Sequence, residues 1–216
     1  GWRGYRCRGV AYVAARDSSA AQCAHRVIVA THDRRVIALD ARDGTPCAGF
    51  GQGGSVTLPD HASERPGDVS TSSPPAVGNG VIVVGSAIID FEKTLAPRGT
   101  VYAIDAETGA PRWQFDPLEG IRDYGAANVW APISIDAGRD LVFLATSSPA
   151  PDYVGTLRKS DGDANAIVAL VDLKAMSKIM YEEWGPEKSV KAFVHYPANT
   201  FPGQDKKLED NTHFNT

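Results

Sequence analysis

The stretch Val36-Ile37-Ala38-Leu39-Asp40, followed by Asp43-Gly44-Thr45, recurs along the chain as Val101-Tyr102-Ala103-Ile104-Asp105, followed by Thr108-Gly109-Ala110. A third copy begins at Ile167-Val168-Ala169-Leu170 and then stops. The fifth position of the phrase falls at residues 40, 105 and 171, which are 65 and then 66 residues apart. A strand and turn that recur at a fixed spacing indicate a repeat architecture.

Each copy alternates apolar residues with small or polar ones, which predicts a strand with one buried face. In the turn that follows, the Asp carboxylate can accept backbone hydrogen bonds and the Gly can adopt a positive φ. A second apolar run precedes each copy, at 26–30, 81–85 and 140–145, and Pro111–Phe115 is an outer-strand candidate. Short strands separated by turns are typical of propeller blades. We therefore predict an all-β partial β-propeller of two to three blades; the alternative is a β-sandwich whose hairpins are similar by accident.

Composition places the chain among ordinary globular proteins. Its 216 residues are 43% hydrophobic and 22% charged. The net charge of -4, without a block of Lys or Arg, gives no electrostatic support for binding nucleic acid. No stretch approaches the roughly 20 apolar residues of a membrane span, so we expect membrane association only through parts absent from this chain. The first residues lack signal-peptide organisation and an initiator Met, so we expect the chain to be internal to a longer protein.

The chain has three cysteines, Cys7, Cys23 and Cys47, and their spacing is not that of a metal site. A Cys23–Cys47 disulfide is possible in an oxidising compartment. Small buried thiols are the alternative.

Five short motifs follow one another in residues 1–170: Cys7-Arg8-Gly9-Val10-Ala11-Tyr12, Thr71-Ser72-Ser73-Pro74-Pro75, Gly85-Ser86, Asn128-Val129-Trp130-Ala131-Pro132 and Ser147-Ser148-Pro149-Ala150-Pro151. As an ordered set they resemble the N-terminal blades of the pyrroloquinoline-quinone (PQQ) dependent dehydrogenases, and the membrane-bound glucose and quinate branch in particular. The resemblance implies an eight-bladed propeller with PQQ at its axis beside Ca²⁺ or Mg²⁺. It also implies a periplasmic oxidoreductase that oxidises a sugar or alcohol and passes electrons to a quinone.

The resemblance assigns four residues to the cofactor. Arg8 matches the arginine of the family's Arg-Gly-Val motif, and its guanidinium suits a PQQ carboxylate. Trp130 matches the tryptophan that stacks on the quinone plane. Ser72 and Ser73 lie near the family position whose hydroxyl bonds to the quinone. The structural alternatives are a surface Arg, a blade-packing Trp and turn serines before Pro-Pro.

The resemblance assigns Asp90 and Ser148 to the cation. Hard cations prefer oxygen ligands, and Asp90 supplies a charged one. Relatives often have Asp-Asn or Glu where this chain has Ile89-Asp90, and Asn or Thr where it has Ser148. A solvated loop Asp is the alternative for Asp90, and a neutral hydroxyl is a weaker cation ligand for the position of Ser148.

The resemblance ends after Leu170, which divides the chain into a 1–170 incomplete propeller and a divergent 171–216 tail. Relatives continue into a Trp-Asp motif whose Asp is the general base, but in this tail Trp184 is followed by Gly185. We therefore assign no catalytic residue and predict no dehydrogenase turnover by this chain alone, since losing a positioned base lowers rates by about 10²–10⁴-fold.

Apolar residues recur at helical spacing in 172–183, which predicts an amphipathic helix. A short strand is predicted within 188–196, and 197–216 is predicted to be irregular. Three interpretations of the whole chain stay open here: a fragment of a PQQ dehydrogenase, a non-catalytic propeller-like binding module, and a gene-model artefact created by a fusion or frameshift near codon 170.

Overall fold

The structure is a computed structural model that describes residues 8–14, 22–59 and 67–171, and the backbone of two strands near the C-terminus. The chain forms two compact units, Gly1–Leu170 and Val171–Thr216. Gly155–Leu157 forms a 3-10 turn. The described strands are, in chain order, β1 Ala11–Ala14, β2 His25–Ala30, β3 Arg35–Asp40, β4 Ser55–Thr57, β5 Val69–Ser70, β6 Ala76–Gly78, β7 Val81–Val84, β8 Ala87–Ile88, β9 Val101–Asp105, β10 Pro111–Phe115, β11 Ser134–Asp136, β12 Leu141–Ala145, β13 Ile167–Val171, β14 Phe193–Tyr196 and β15 Leu208–Phe214.

Within the described part of the first unit, the repeats fold as successive antiparallel sheets. Sheet 1 has the order β1-β2-β3-β4, sheet 2 the order β6-β7-β9-β10, and sheet 3 the order β11-β12-β13. The recurring phrase forms the third strand of each sheet, β3, β9 and β13, and the apolar run before it forms the second. β5 pairs with β8 in a separate two-stranded ribbon. The predicted all-β architecture of an incomplete, unclosed propeller is confirmed.

Alternation along the strands gives every sheet two packing faces, because neighbouring side chains in a strand point to opposite sides. On β7, Ile82 and Val84 pack toward sheet 1, whereas Val83 packs toward sheet 3. The core between sheets 1 and 2 includes Ile28, Val36, Ala38, Ile82, Val84, Tyr102 and Ile104. The core between sheets 2 and 3 includes Val83, Val101, Ala103, Val142, Leu144, Val168 and Leu170.

The turns after β3 and β9 have the predicted construction. The N–H groups of Gly44 and Gly109 donate to the carbonyl oxygens of Asp40 and Asp105, at 2.8 and 2.9 Å. Both glycines have positive φ, 75° and 74°. The Asp105 carboxylate accepts the N–H of Thr108 at 2.9 Å. The repeated Asp therefore closes its turn, as the sequence indicates.

Asp40 also connects its turn to a disulfide. Its buried carboxylate accepts hydrogen bonds from the Arg42 guanidinium and from the Cys23 N–H at 2.7 Å, which hold the pKa of Asp40 far below its ordinary value. Cys23 is bridged to Cys47, with Cα atoms 5.8 Å apart. Of the two alternatives left open by the sequence, the structure forms the disulfide, which joins the segment before β2 to the segment after β3.

In the second unit, β14 pairs with β15 as an antiparallel hairpin. β14 falls within the predicted 188–196 strand. β15 lies where irregular chain is predicted, and the predicted 172–183 helix lies outside the described residues. Among the described residues, no helix has the length and apolarity needed to cross a membrane.

Candidate functional site

The site is built on the long loop between β10 and β11, residues 116–133. This loop packs directly on the backbone of sheet 2, and glycine permits the close approach at two positions. A Cβ on Gly85 would overlap the Val129 carbonyl and lie 3.0 Å from its carbon, and one on Gly99 would lie 2.6 Å from the carbonyl carbon of Ala127. The backbone just before Trp130 is therefore held against the sheet without an intervening side chain.

Arg98 anchors the first half of the same loop. Its Nε lies 2.9 Å from Asp116 Oδ2. Its Nη1 donates to the carbonyl oxygens of Ile121 at 2.9 Å and Tyr124 at 3.0 Å, and its Nη2 donates to that of Leu118. A guanidinium can satisfy this many oxygens because it has five N–H donors in a planar fork. No motif in the sequence indicates this role.

Three of the residues predicted to contact PQQ converge at the second half of the loop. Arg8 Cζ lies 5.3 Å from the centroid of the Trp130 ring, and Arg8 Nη1 donates to the Trp130 carbonyl at 3.3 Å. The Ser73 hydroxyl donates to the carbonyls of Trp130 and Ala131. The Trp130 side chain stays 46% exposed. A partly exposed indole with a guanidinium over its ring combines a flat apolar surface and a positive charge, which suits a planar, negatively charged ligand.

The two predicted serines have different surroundings. Ser73 is buried and its hydroxyl is engaged by the Trp130 backbone, so in this structure it positions the tryptophan. Ser72 is half-buried beside it, in the loop between β5 and β6. Direct contact of either hydroxyl with PQQ stays a prediction.

Arg34, which the sequence interpretation missed, connects the serine loop to sheet 2. It is 3% exposed, and its Nη1 donates to Thr71 Oγ1 at 3.3 Å, Ser86 Oγ at 3.1 Å and the Gly85 carbonyl at 3.4 Å. Its guanidinium also lies 5.4 Å from the Tyr102 ring centroid. Arg34 thus ties the loop that carries Ser73 to the position where Gly85 supports Val129.

The predicted cation ligand Asp90 is held by Asn128, a residue whose motif was noted but whose role was not predicted. Asn128 Nδ2 lies 3.3 Å from Asp90 Oδ2 and also donates to the Ile88 carbonyl, while its Oδ1 accepts the Ile88 N–H at 2.8 Å. Burial, together with the nearby charge of Asp152, raises the pKa of Asp90. Asn128 therefore joins the Ile88–Asp90 segment to the loop that carries Trp130.

Ser148 contacts loop 116–133 at Ala127. Its carbonyl accepts the Ala127 N–H at 3.3 Å, and its hydroxyl donates to the Pro149 carbonyl at 3.3 Å. Calcium takes about 6–8 oxygen ligands. The part of the chain that the structure describes has no group of three or more His, Cys, Asp or Glu that could hold a metal ion. Asp90 and Ser148 alone do not fit a complete site for Ca²⁺ or Mg²⁺, whereas Trp130 and Arg8 fit the plane and the charge of PQQ.

Comparison with known proteins identifies the family. The profile of the PQQ family "Glucose/ethanol/alcohol dehydrogenase, beta-propeller domain" matches residues 1–174. The glycerol dehydrogenase large subunit of Gluconobacter oxydans is 37% identical over 185 residues, which cover 79% of this chain and 25% of that protein. The quinoprotein glucose dehydrogenase of Escherichia coli is 32% identical over 184 residues, covering 76% and 23%. The quinate/shikimate dehydrogenase of Acinetobacter baylyi is 32% identical over 220 residues, covering 88% and 26%. The chain thus spans about a quarter of the length of these relatives.

A solved structure supports the fold. The quinohemoprotein alcohol dehydrogenase of Pseudomonas putida HK5 superposes with a TM-score of 0.52 at 24% identity, covering 67% of this chain and 23% of that one.

A shorter match is of another kind: the rhamnogalacturonan acetylesterase RhgT of Bacillus subtilis is 45% identical over 47 residues, which are 22% of this chain and 20% of that protein.

Proposed function

Because this chain belongs to the PQQ-dependent glucose, ethanol and alcohol dehydrogenase β-propeller family, we propose that it forms a PQQ-binding section of a quinoprotein oxidoreductase. The observation that carries the proposal is the convergence of Arg8, Ser73 and Trp130. These residues are far apart in sequence, and two of them contact the third. The proposed ligand is planar and carries carboxylates, which matches a partly exposed indole in contact with a guanidinium.

Each residue has a separate task in this proposal. Trp130 supplies a flat apolar surface for the ring system, and Arg8 supplies N–H donors for a carboxylate at its edge. Ser73 fixes the Trp130 backbone, and Ser72 is the hydroxyl available to a quinone oxygen. When bound, PQQ supplies the two-electron acceptor for oxidation of an alcohol carbon. Asp90 and Ser148 as ligands to Ca²⁺ or Mg²⁺ stay predictions, and no step is assigned through the cation.

The relatives indicate the class of substrate. Proteins named for glycerol, glucose and quinate match this chain, so we propose a sugar, polyol or related alcohol as substrate of the whole enzyme and a quinone as its electron acceptor. From the resemblance to the family we also propose a periplasmic location. We expect the chain alone to lack turnover, since it spans about 25% of such a protein and has no Trp-Asp motif after Leu170.

The test is a PQQ titration followed by quenching of tryptophan fluorescence. Wild type should quench saturably, and Arg8→Ala should weaken binding by about 10–100-fold, because a hydrogen bond to a charged group contributes about 1.5–3 kcal/mol. Trp130→Ala should weaken binding as well. Arg139→Ala is the matched control, since Arg139 is an exposed guanidinium paired with Asp136 in the β11–β12 turn.

Two results would count against the proposal: quenching without saturation, or equal affinity in Arg8→Ala, Trp130→Ala and the control. Dye reduction with glucose, glycerol or quinate should be at background. Turnover that disappears in Arg8→Ala would support the PQQ site and contradict the expected inactivity.

The acetylesterase match suggests that part of the chain derives from a different protein family. We propose that the 47 matched residues fall mainly in Val171–Thr216, because the PQQ family profile accounts for residues 1–174 and this unit has nearly the same length. As it spans 20% of the esterase, we expect no hydrolysis of p-nitrophenyl acetate. A single transcript across codon 170 and peptides from both units in one purified product would support a genuine fusion; a transcript that restores the Trp-Asp frame would contradict it.

A further inference from the structure

The Arg34 guanidinium, in the turn between β2 and β3, lies at a buried junction with three other segments of the chain. Its Nη2 donates to the Pro59 carbonyl at 3.2 Å. Its Nη1 lies within 3.4 Å of three oxygens, which belong to the Thr71 hydroxyl, the Ser86 hydroxyl and the Gly85 carbonyl. Arg34 is 3% exposed, and Thr71 and Ser86 are each 1% exposed. One side chain therefore fixes the segments that follow β4, β5 and β7.

One route from this junction reaches Trp130 through the loop between β5 and β6. Thr71, which accepts a hydrogen bond from Arg34, lies two residues before Ser73 in this loop. Ser73 is 5% exposed, and its hydroxyl donates to the carbonyls of Trp130 and Ala131. Arg34 therefore holds one end of a loop whose next contact fixes the Trp130 backbone.

A second route reaches Trp130 through sheet 2. Arg34 donates to the Gly85 carbonyl, and Gly85 lies so close to Val129 that an added Cβ would overlap the Val129 carbonyl. Val129 is 0% exposed and directly precedes Trp130. The position of the Gly85 backbone therefore sets how closely the backbone before Trp130 can approach the sheet.

We propose that Arg34 is a positioning residue of the PQQ site; this proposal rests on the function proposed above. Arg34 fixes two supports of the Trp130 backbone relative to each other, namely the Ser73 loop and the Gly85 main chain. A guanidinium suits this task because its donors lie in a rigid plane and point to separate oxygens. Without these donors the buried oxygens would lack partners, and the segments that carry them would shift to find others. The indole would move with these segments and misplace the surface for the PQQ ring system.

The PQQ titration of Arg34→Met measures the effect on binding. Methionine keeps an unbranched stem and removes every N–H donor. Arg34→Met should weaken PQQ binding by about 2–30-fold, the range for residues that act on a site through others. Arg26→Met is the matched control, because the Arg26 guanidinium also holds three carbonyl oxygens at 2.9 Å, those of Cys23, Ala106 and Glu107. Both variants should melt at a lower temperature than wild type, but Arg26→Met should keep wild-type affinity.

Fluorine NMR of protein labelled with 5-fluorotryptophan reads the position of Trp130 without PQQ. The chain has four tryptophans, and the Trp130 resonance is the one that disappears in Trp130→Phe. Arg34→Met should shift this resonance, whereas Arg26→Met should leave it in place. A role of Arg34 in stability alone would lower the melting temperature without moving the resonance. A wild type that does not bind PQQ saturably, with the resonance shifted in Arg34→Met, would refute the PQQ site and leave the positioning of Trp130 by Arg34 supported.

Thr71→Val keeps the test decisive if Arg34→Met does not fold. This change leaves Arg34 in place and removes one of its acceptor oxygens with little change of shape. It should shift the Trp130 resonance in the same direction and weaken PQQ binding by about 2–3-fold. An unchanged resonance and affinity in Thr71→Val and in any folded Arg34→Met would overturn the proposal. Equal effects of Arg26→Met and Arg34→Met on the resonance and the affinity would overturn it as well.

Discussion

Replacing Gly85 with alanine tests whether contact between the loop and sheet 2 positions the Trp130 site. The new Cβ would overlap the carbonyl oxygen of Val129 and lie 3.0 Å from its carbon. Nonbonded heavy atoms prefer about 3.5–4.0 Å, so the backbone before Trp130 must move away by about 0.5 Å or more. Both sides of the contact are main chain, which cannot relieve the clash by changing a rotamer.

The expected loss of stability follows from overpacking. Adding a methyl group to a packed contact costs about 1–3 kcal/mol. For a chain of this size each kcal/mol lowers the melting temperature by about 2–4 °C, which gives a fall of about 2–12 °C. The affinity for PQQ should fall too, since Trp130 follows the displaced carbonyl directly.

Circular dichroism melts and the PQQ titration measure the two effects. Gly49→Ala is the matched control, because its Cβ would meet nothing within 4 Å. That variant should keep wild-type affinity and melt at the same temperature or slightly higher, since alanine lowers the entropy of the unfolded chain by the equivalent of about 0.4–1 kcal/mol. If Gly85→Ala has the same melting temperature and the same affinity for PQQ as Gly49→Ala, the position of the loop does not depend on the contact between Gly85 and Val129.

Three further predictions concern named groups. Because the pKa of Asp40 is lowered in the folded protein, its carboxylate stabilises the fold at pH values above the unfolded pKa of about 3.9, and this stabilisation is lost as the pH falls toward the folded-state pKa. Asp40→Asn should therefore unfold at a lower urea concentration than wild type at pH 7, and its stability should fall less than that of wild type when the pH drops below about 4. The pKa of Asp90 is raised, so the folded protein favours the neutral carboxyl, and this stabilisation is lost as the pH rises through the folded-state pKa. Asp90→Asn should therefore be at least as stable as wild type at pH 7. A clearly lower free energy of unfolding for Asp90→Asn at pH 7 would contradict this reasoning. Reduction of Cys23–Cys47, which are 24 residues apart, should destabilise by about 3 kcal/mol in urea titrations with and without dithiothreitol, whereas the double Ser variant should not respond to the reductant.

Much of the candidate site could be located from motifs, but its contacts could not. Arg8, Ser73 and Trp130 were chosen because their motifs resemble those of one family, and the structure brings them together. Arg34 and Asn128 hold this region in place and were assigned no role, because a single Arg or Asn in a loop has no periodicity and its partners lie far away in sequence. Asn128, for example, binds a segment 40 residues away through Ile88.

The amino-acid sequence alone determined the second and third strands of each sheet, the turns after β3 and β9 and their grouping into repeats, whereas the β5–β8 ribbon and β15 were not predicted. Alternation with period two decides which side of a strand is apolar, and Asp with Gly after β3 and β9 closes a turn through atoms only a few residues apart. Tertiary structure alone decided the path of loop 116–133, the engagement of the Ser73 hydroxyl by the Trp130 backbone and the contacts of Arg34 and Asn128. These features depend on which backbones meet across the sheets, and that meeting is set by packing between residues that no local pattern links.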